Sequence, residues 1–404
     1  MAVLRELRWQ GPILDCSGYA AAGRGYLLAA DTVGMRLKAF DRSRSLNLYN
    51  KGIDKSVSDL YNRLRKTKVS HDCPTVQHQV PDQFYLDMRS RLRVGYTIFE
   101  MSGVPREWIN GCHQMDVIWT GSKYARAAFL SSGCKTPIKI LPHAIDLSQF
   151  NDQAEPWPVK NKAAFTFLSV FDFTERKDWK TLLRAYWDAF TSSDDVCLIL
   201  KVYFGNFTDE ATKSILRRIS SFKEECRVNN TPRILVYGHD VPQHQMSGLC
   251  RTADCYVGTS REGFGITYAE AMACGIACIG PEVGGTRQFM TEENSFLVKY
   301  LGDEGVGPET KKMYPSFSGL RWAKHSWEHL SALMRQVVYD GKERQRRALL
   351  GMEDVRKDLS PETIGATMTR LLEESDGQAH HPDVLHERAL PKDDQTRARV
   401  TRQA

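Results

Sequence analysis

Short apolar segments recur along the chain between longer polar or amphipathic stretches, and they fall into two sets. The first set is Arg36–Phe40, Thr75–Val80, Val94–Phe99, Val117–Gly121 and Ile138–Pro142. The second is Phe165–Phe171, Val196–Tyr203, Ile234–Gly238, Cys255–Gly258 and Ala277–Gly280. Strand-length runs separated by helix-length stretches predict parallel strands joined by crossover helices, an α/β organisation repeated twice. Between the sets, Asn151-Asp-Gln-Ala-Glu-Pro-Trp-Pro158 has the proline and polar content of a linker. At 404 residues the chain is also longer than one hydrophobic core usually supports. We therefore expect an N-terminal domain over 1–155 and a C-terminal domain over 156–374, with the boundary near 151–162. Residues 302–316 read as an insertion or flexible loop, and Trp322–Tyr339 as a helix. From Ser375 onward apolar residues are scarce, which predicts a disordered tail over 375–404 whose His380 and His381 make a poor metal site. No short fixed repeat is present, which argues against solenoids and propellers.

The densest chemistry lies in Arg261-Glu-Gly-Phe-Gly-Ile-Thr-Tyr-Ala-Glu270. Ala253–Ser260 reads as a short buried strand, and Ile266–Cys274 is a run of helix formers that stops at Gly275. Glu262 then sits on a strand-to-helix loop and Glu270 inside the helix. Gly263 and Gly265 let the backbone approach a ligand, and the first amides of the helix point unpaired N–H groups toward it. Such a turn suits a phosphate-bearing ligand whose sugars offer hydroxyls to carboxylates. The same order continues through Ala271-Met-Ala-Cys-Gly275, Gly284-Gly-Thr-Arg287 and Glu293-Asn-Ser-Phe-Leu-Val298. Taken in register, these residues resemble the Glu-x7-Glu signature of retaining, nucleotide-sugar-dependent glycosyltransferases of the GT-B fold, family 4 in particular.

The resemblance implies two Rossmann-like domains facing across a cleft. It implies that Glu262 hydrogen-bonds the donor sugar, that Glu270 holds the ribose hydroxyls, and that Gly263, Phe264, Gly265, Ile266 and Thr267 line the donor. Asp172-Phe-Thr-Glu-Arg-Lys-Asp178, followed by an amphipathic stretch Trp179–Phe190, resembles the family's Arg-Lys-Gly loop, where a cation neutralises the departing diphosphate. Lys177 is the candidate. Many family members carry a second arginine about six residues earlier; Phe171 stands there, so Arg176 is the substitute candidate. A surface charge pair with Glu175 is the alternative reading.

In the first half, Gly11–Tyr19 followed by Gly23-Arg-Gly25 reads as strand, glycine-containing loop and helix, with Gly18 and Arg24 as candidate phosphate contacts or else a tight structural turn. Ile140-Leu-Pro-His-Ala-Ile-Asp146 resembles a family run that ends the first domain, with Ala144 in place of its glycine. His143 then marks the domain edge and is not a general base. Glu100 follows a predicted strand and faces the crevice of an open α/β sheet, where it either orients an acceptor or donor hydroxyl or makes a cap or salt bridge. His78 either shapes the acceptor pocket or sits in the core.

The formal charge of +6 is unevenly spread: residues 1–150 hold 21 Lys+Arg against 13 Asp+Glu, and the remainder 34 against 36. The excess clusters at Arg63–Lys68 and Arg89–Arg93, with Arg42 and Arg44 upstream. Either this is a solvated surface or it attracts an anionic partner such as DNA or a membrane surface. No apolar run approaches the roughly 18 residues that cross a bilayer, and the N-terminus lacks a signal-peptide pattern, so a cytoplasmic location is expected. Ten scattered cysteines predict reduced, mostly buried thiols.

The leading expectation is a retaining transfer of sugar from a nucleoside diphosphate sugar to a hydroxyl of a saccharide, lipid-linked or small-molecule acceptor, with no metal and no cofactor beyond that co-substrate. Two alternatives stay open: glycosylation of hydroxylated bases in DNA, as virus-encoded enzymes do, and a non-catalytic or phosphorylase-like member of the fold.

Overall fold

The computed structural model of the protein describes residues 6–43, 53–160 and 162–379. Arg44 and the His380-His381 pair lie outside them. The first sheet contains β1 (Glu6–Gly11), β2 (Arg36–Asp41), β3 (Thr75–His78), β4 (Arg93–Tyr96), β5 (Val117–Thr120) and β6 (Ile138–Ile140), in the order β2-β1-β3-β4-β5-β6. The second contains β7 (Phe165–Asp172), β8 (Val196–Tyr203), β9 (Arg233–Tyr237), β10 (Cys255–Val257), β11 (Ala277–Pro281) and β12 (Phe296–Val298), in the order β9-β8-β7-β10-β11-β12. Every pairing in both sheets is parallel. Helices α1 (Gly18–Thr32), α2 (Lys55–Leu64), α3 (Arg106–Cys112) and α4 (Lys123–Ser131) accompany the first sheet. With the second run α5 (Trp179–Ala189), α6 (Asp209–Glu225), α7 (Gln243–Thr252), α8 (Ile266–Ala273), α9 (Pro308–Met313), α10 (Trp327–Tyr339), α11 (Gly341–Asp358) and α12 (Pro361–Ala379).

Helices on both faces explain why the central strands read as unbroken apolar runs: in β7 and β8 nearly every residue is buried. Strand order reverses between β1 and β3 and again between β7 and β10, and in open parallel sheets ligands bind off the carboxyl ends of strands at such points. The loops after β1, β7 and β10 open there, on facing edges of the two sheets.

Three differences from the sequence reading have physical reasons. Residues 302–316 are ordered: β13 (Tyr300–Gly305) and β14 (Arg321–His325) pair antiparallel, with α9 in the connection between them. Trp322 therefore lies in a strand, and the helix starts only at Trp327, capped by Ser326, whose Oγ accepts from the His329 amide at 3.1 Å. This hairpin reaches across to the first sheet, where Val306, Phe317 and Trp322 join a cluster with Phe84, Phe99, Met101 and Trp108. The Phe317 and Phe99 rings are 5.2 Å apart, and the Ser102 amide donates to the Arg321 carbonyl at 2.9 Å.

The helix α12 continues past Ser375 to Ala379, so the first residues of the expected tail are helical. It lies against α1, packed so closely that a Cβ at Gly365 would collide with the Ala29 carbonyl. Finally, β1 ends at Gly11, and Gly23 and Gly25 are interior to α1. All ten cysteines are free and eight are buried. Among the described residues, no helix is long and apolar enough to cross a membrane.

Candidate active site

A cleft of about 440 Å³ lies between the two sheets, lined by residues from both. From the first side comes the loop after β1. Its shape is fixed by Asp41, whose Oδ1 accepts from the Ile13 amide at 2.8 Å, and by Arg24, whose Nη1 donates to the carbonyls of Ile13 and Asp15 at 2.8 and 2.7 Å. Arg24 lines the cleft, but this hydrogen bonding makes it a brace for the loop more than a free cation. Ser17 caps α1, its Oγ accepting from the Ala20 amide at 3.2 Å, so the helix N-terminus and Gly18 face the cleft.

From the second side come the loops after β7 and β10. The first carries Arg176 and Lys177 and turns at Asp178, whose φ of 52° is the left-handed conformation that glycine provides in the loop it resembles. Thr181 and Thr259 hold Asp178 there, donating to its Oδ1 at 2.9 Å and its carbonyl at 3.3 Å. In the second loop Gly265 has φ 93° and opens α8, while Gly263 passes so near the first domain that a Cβ would lie 2.9 Å from the Phe99 amide nitrogen. Ser122 seals that approach, its hydroxyl donating to the Gly263 carbonyl at 2.7 Å.

These loops bring four charges together. Lys177 Nζ is 2.5 Å from Glu262 Oε1, Arg176 Nη1 is 3.3 Å from Glu262 Oε2, and Arg176 Nε reaches across the cleft to Glu100 at 3.0 Å. Burial by itself would raise Glu262, but Lys177 and then Arg176 outweigh it and hold the carboxyl below its usual range. For Lys177, burial and then the neighbouring Arg176 win over Glu262, and its ammonium is pulled down. Burial raises Glu100, with Arg176 opposing. Glu270, on α8, has only Arg24 to offset its burial and is pushed up to about 8.

Of the other anticipated residues, Gly263, Gly265, Ile266 and Thr267 line the cleft. Phe264 does not: it is fully buried, 4.4 Å ring to ring from His143 and 5.1 Å from Phe289, because an aromatic side chain gains more from this interdomain packing than from exposure. His78 is a core histidine, enclosed by Trp9, Tyr19, Tyr26 and Tyr96 and held neutral by burial and then by His143. His143 meets the Tyr26 and Tyr96 hydroxyls at 2.8 and 3.1 Å, and burial lowers it to about 3, which removes it as a base near neutrality.

Several residues in and behind the cleft had roles that escaped the sequence reading. Arg261 is buried over the Trp322 ring, ion-paired to Glu304 at 2.8 Å and donating to the Ala323 carbonyl at 2.8 Å, so it ties the glutamate loop to the β13–β14 hairpin. Lys201, Tyr203, Phe207 and Asp240 line one end of the cleft. A lysine inside the apolar run Val-Cys-Leu-Ile-Leu-Lys-Val-Tyr of β8 was the available signal. Four arginines of the basic clusters, by contrast, are paired: Arg63 with Asp31, Arg89 with Asp87, Arg91 with Asp376 and Arg93 with Asp116, at 2.7, 3.3, 3.3 and 2.6 Å.

Residues 165–304, which carry Lys177, Glu262 and Glu270, match the family described as Glycosyl transferases group 1. The chain is similar in structure to HepE (Alr3699) of Anabaena in complex with UDP and glucose, with TM-score 0.60 and 13% identity over 92% of this chain and 100% of that one. It is similar to sucrose-phosphate synthase (tll1590) of Thermosynechococcus elongatus, with TM-score 0.63 and 15% identity over 93% and 100%. The fold is GT-B. A third similar structure is the UDP-forming α,α-trehalose-phosphate synthase of Burkholderia xenovorans, with TM-score 0.59 and 11% identity over 92% and 99%. Among curated proteins no sequence matches this chain. Likeness at these identities carries the architecture; function is argued from the site.

Proposed function

We propose that the chain is a retaining glycosyltransferase that takes a nucleoside diphosphate sugar as donor and a hydroxyl of a saccharide, lipid-linked or small-molecule acceptor. The observation that carries this reading is the Lys177–Glu262–Arg176–Glu100 charge network at the mouth of facing Rossmann-like sheets, inside the segment that matches the glycosyl transferase family. The N-terminus of α1 across the cleft adds amides suited to phosphate.

In this reading the donor diphosphate takes over Lys177 and Arg176, which neutralise the charge that grows on the nucleotide as the sugar–phosphate bond breaks. Glu262, released from part of its pairing, accepts hydrogen bonds from the sugar and stabilises positive charge at the anomeric carbon. Glu270 receives the ribose hydroxyls. The departing phosphate oxygen takes the acceptor's proton, so attack comes from the same face and no side chain serves as base; His143, buried and neutral, is consistent with that.

The paired state of Arg63, Arg89, Arg91 and Arg93 favours a solvated surface over a DNA groove, because a cation already engaged by a carboxylate releases fewer counterions from DNA. The test is release of nucleoside diphosphate from a panel of nucleotide sugars with glycan, lipid and DNA acceptors. Glu262→Gln is expected to lower turnover by about a hundredfold or more. Unchanged turnover in that variant would overturn the catalytic reading, and a DNA product would reinstate the nucleic-acid alternative.

A further inference from the structure

At the end of the cleft formed by β8 and the loop before α7, a buried cation, a carboxylate and a pair of aromatic rings meet. Lys201 is 5% exposed, lines the cleft and has no carboxylate within ion-pair distance among the described residues; its ammonium lies 4.9 Å from the centre of the Phe207 ring. Burial pulls it down to about 8, with Asp240 as the leading opposing charge. Asp240 is half-buried and lines the same cleft. Tyr203 and Phe207, with ring centres 5.0 Å apart, form an aromatic wall beside them. Lys201 stands on β8 and Asp240 on the loop before α7, whereas Arg176 and Lys177 stand on the loop after β7 and pair with Glu100 and Glu262.

A buried donor, a carboxylate acceptor and an aromatic wall are what a heterocyclic base needs: a face to stack on and an edge to pair with. The base edges differ in how well they suit a carboxylate. Guanine offers two adjacent donors, N1–H and N2–H, that a carboxylate accepts together, and O6 beside them for an ammonium. Uracil offers a single N3–H flanked by two carbonyl oxygens that repel a carboxylate, and adenine has one donor on that edge.

We propose that Lys201, Asp240, Tyr203 and Phe207 form a nucleobase subsite that selects guanine, Asp240 accepting from N1–H and N2–H, Lys201 donating to O6 and the two rings covering the base face. The proposal rests on the donor reading given above and extends it to the base.

The test is calorimetric titration of the full chain with GDP, UDP and ADP separately. A bidentate edge contact discriminates by about tenfold to a hundredfold, so GDP is expected to bind at least tenfold tighter than UDP or ADP. Asp240→Asn keeps the size of the side chain but replaces one acceptor with a donor; it is expected to abolish most of the GDP preference while shifting UDP affinity by less than about threefold. UDP binding as tightly as GDP to the unaltered protein would overturn the guanine assignment and leave the donor reading intact. Failure of all three nucleotides to bind at millimolar concentration would overturn both.

Discussion

Glu270→Gln tests the electrostatics of the cleft most quantitatively. Burial lifts the Glu270 carboxyl from its ordinary 4.5 to about 8, with Arg24 opposing. Each unit of such a gap corresponds to about 1.4 kcal/mol, so the full difference approaches about 5 kcal/mol. The folded chain holds this proton more tightly than the unfolded chain. The stabilisation is therefore fully present below pH 4.5, shrinks as pH rises and is gone above about 8. Glutamine cannot ionise, so the variant escapes that loss. Melting temperatures of both proteins from pH 5 to 9 make the comparison. At roughly 2–4 °C per kcal/mol for a domain of this size, the variant should gain about 10 °C on the unaltered protein between pH 5 and pH 8. The same variant should lose affinity for a nucleoside diphosphate, because hydroxyls that donate to a carboxylate favour its charged form; binding to the unaltered protein at pH 7 should release a proton, detectable by titration in buffers of different ionisation enthalpy. Parallel pH profiles for the two proteins would refute the reasoning.

Arg176→Gln removes the group that joins Glu262 to Glu100 across the cleft and should lower kcat by about a hundredfold with a smaller change in the donor KM; equal kcat would mean that Lys177 alone neutralises the diphosphate. Phe317→Ala empties the contact between the hairpin and the first domain and should cost about 3–5 kcal/mol, with calorimetry resolving two unfolding transitions where the unaltered chain gives one closely coupled event. A small, unsplit shift would show that the hairpin does not couple the domains.

Much of the second domain was legible because its signals are local. The apolar run of β8, the left-handed Gly275 that ends α8 and the Glu-Gly-Phe-Gly turn that opens it all declare themselves within a few residues. The hairpin was not legible, since β14 runs directly into α10 and the two together read as one helix until Ser326 is recognised as a cap. Residues 375–379 look too polar to fold, yet they continue a helix whose Leu371 and Leu372 are buried in the core that also contains α1 residues. Phe264 sits in the middle of a ligand motif but is used for packing, a choice that only the neighbouring His143 and Phe289 make visible. The partners of the charge clusters were hidden for the same reason: the carboxylates that pair with Arg63 and Arg91 are far away in sequence.

The most direct test of the central claim is NMR of the full chain turning over a nucleotide sugar, following release of the nucleoside diphosphate and the anomeric proton of the first-formed product. The account predicts release with the donor's anomeric configuration retained, and loss of both signals in Glu262→Gln. Inverted product, or undiminished release by that variant, would contradict it.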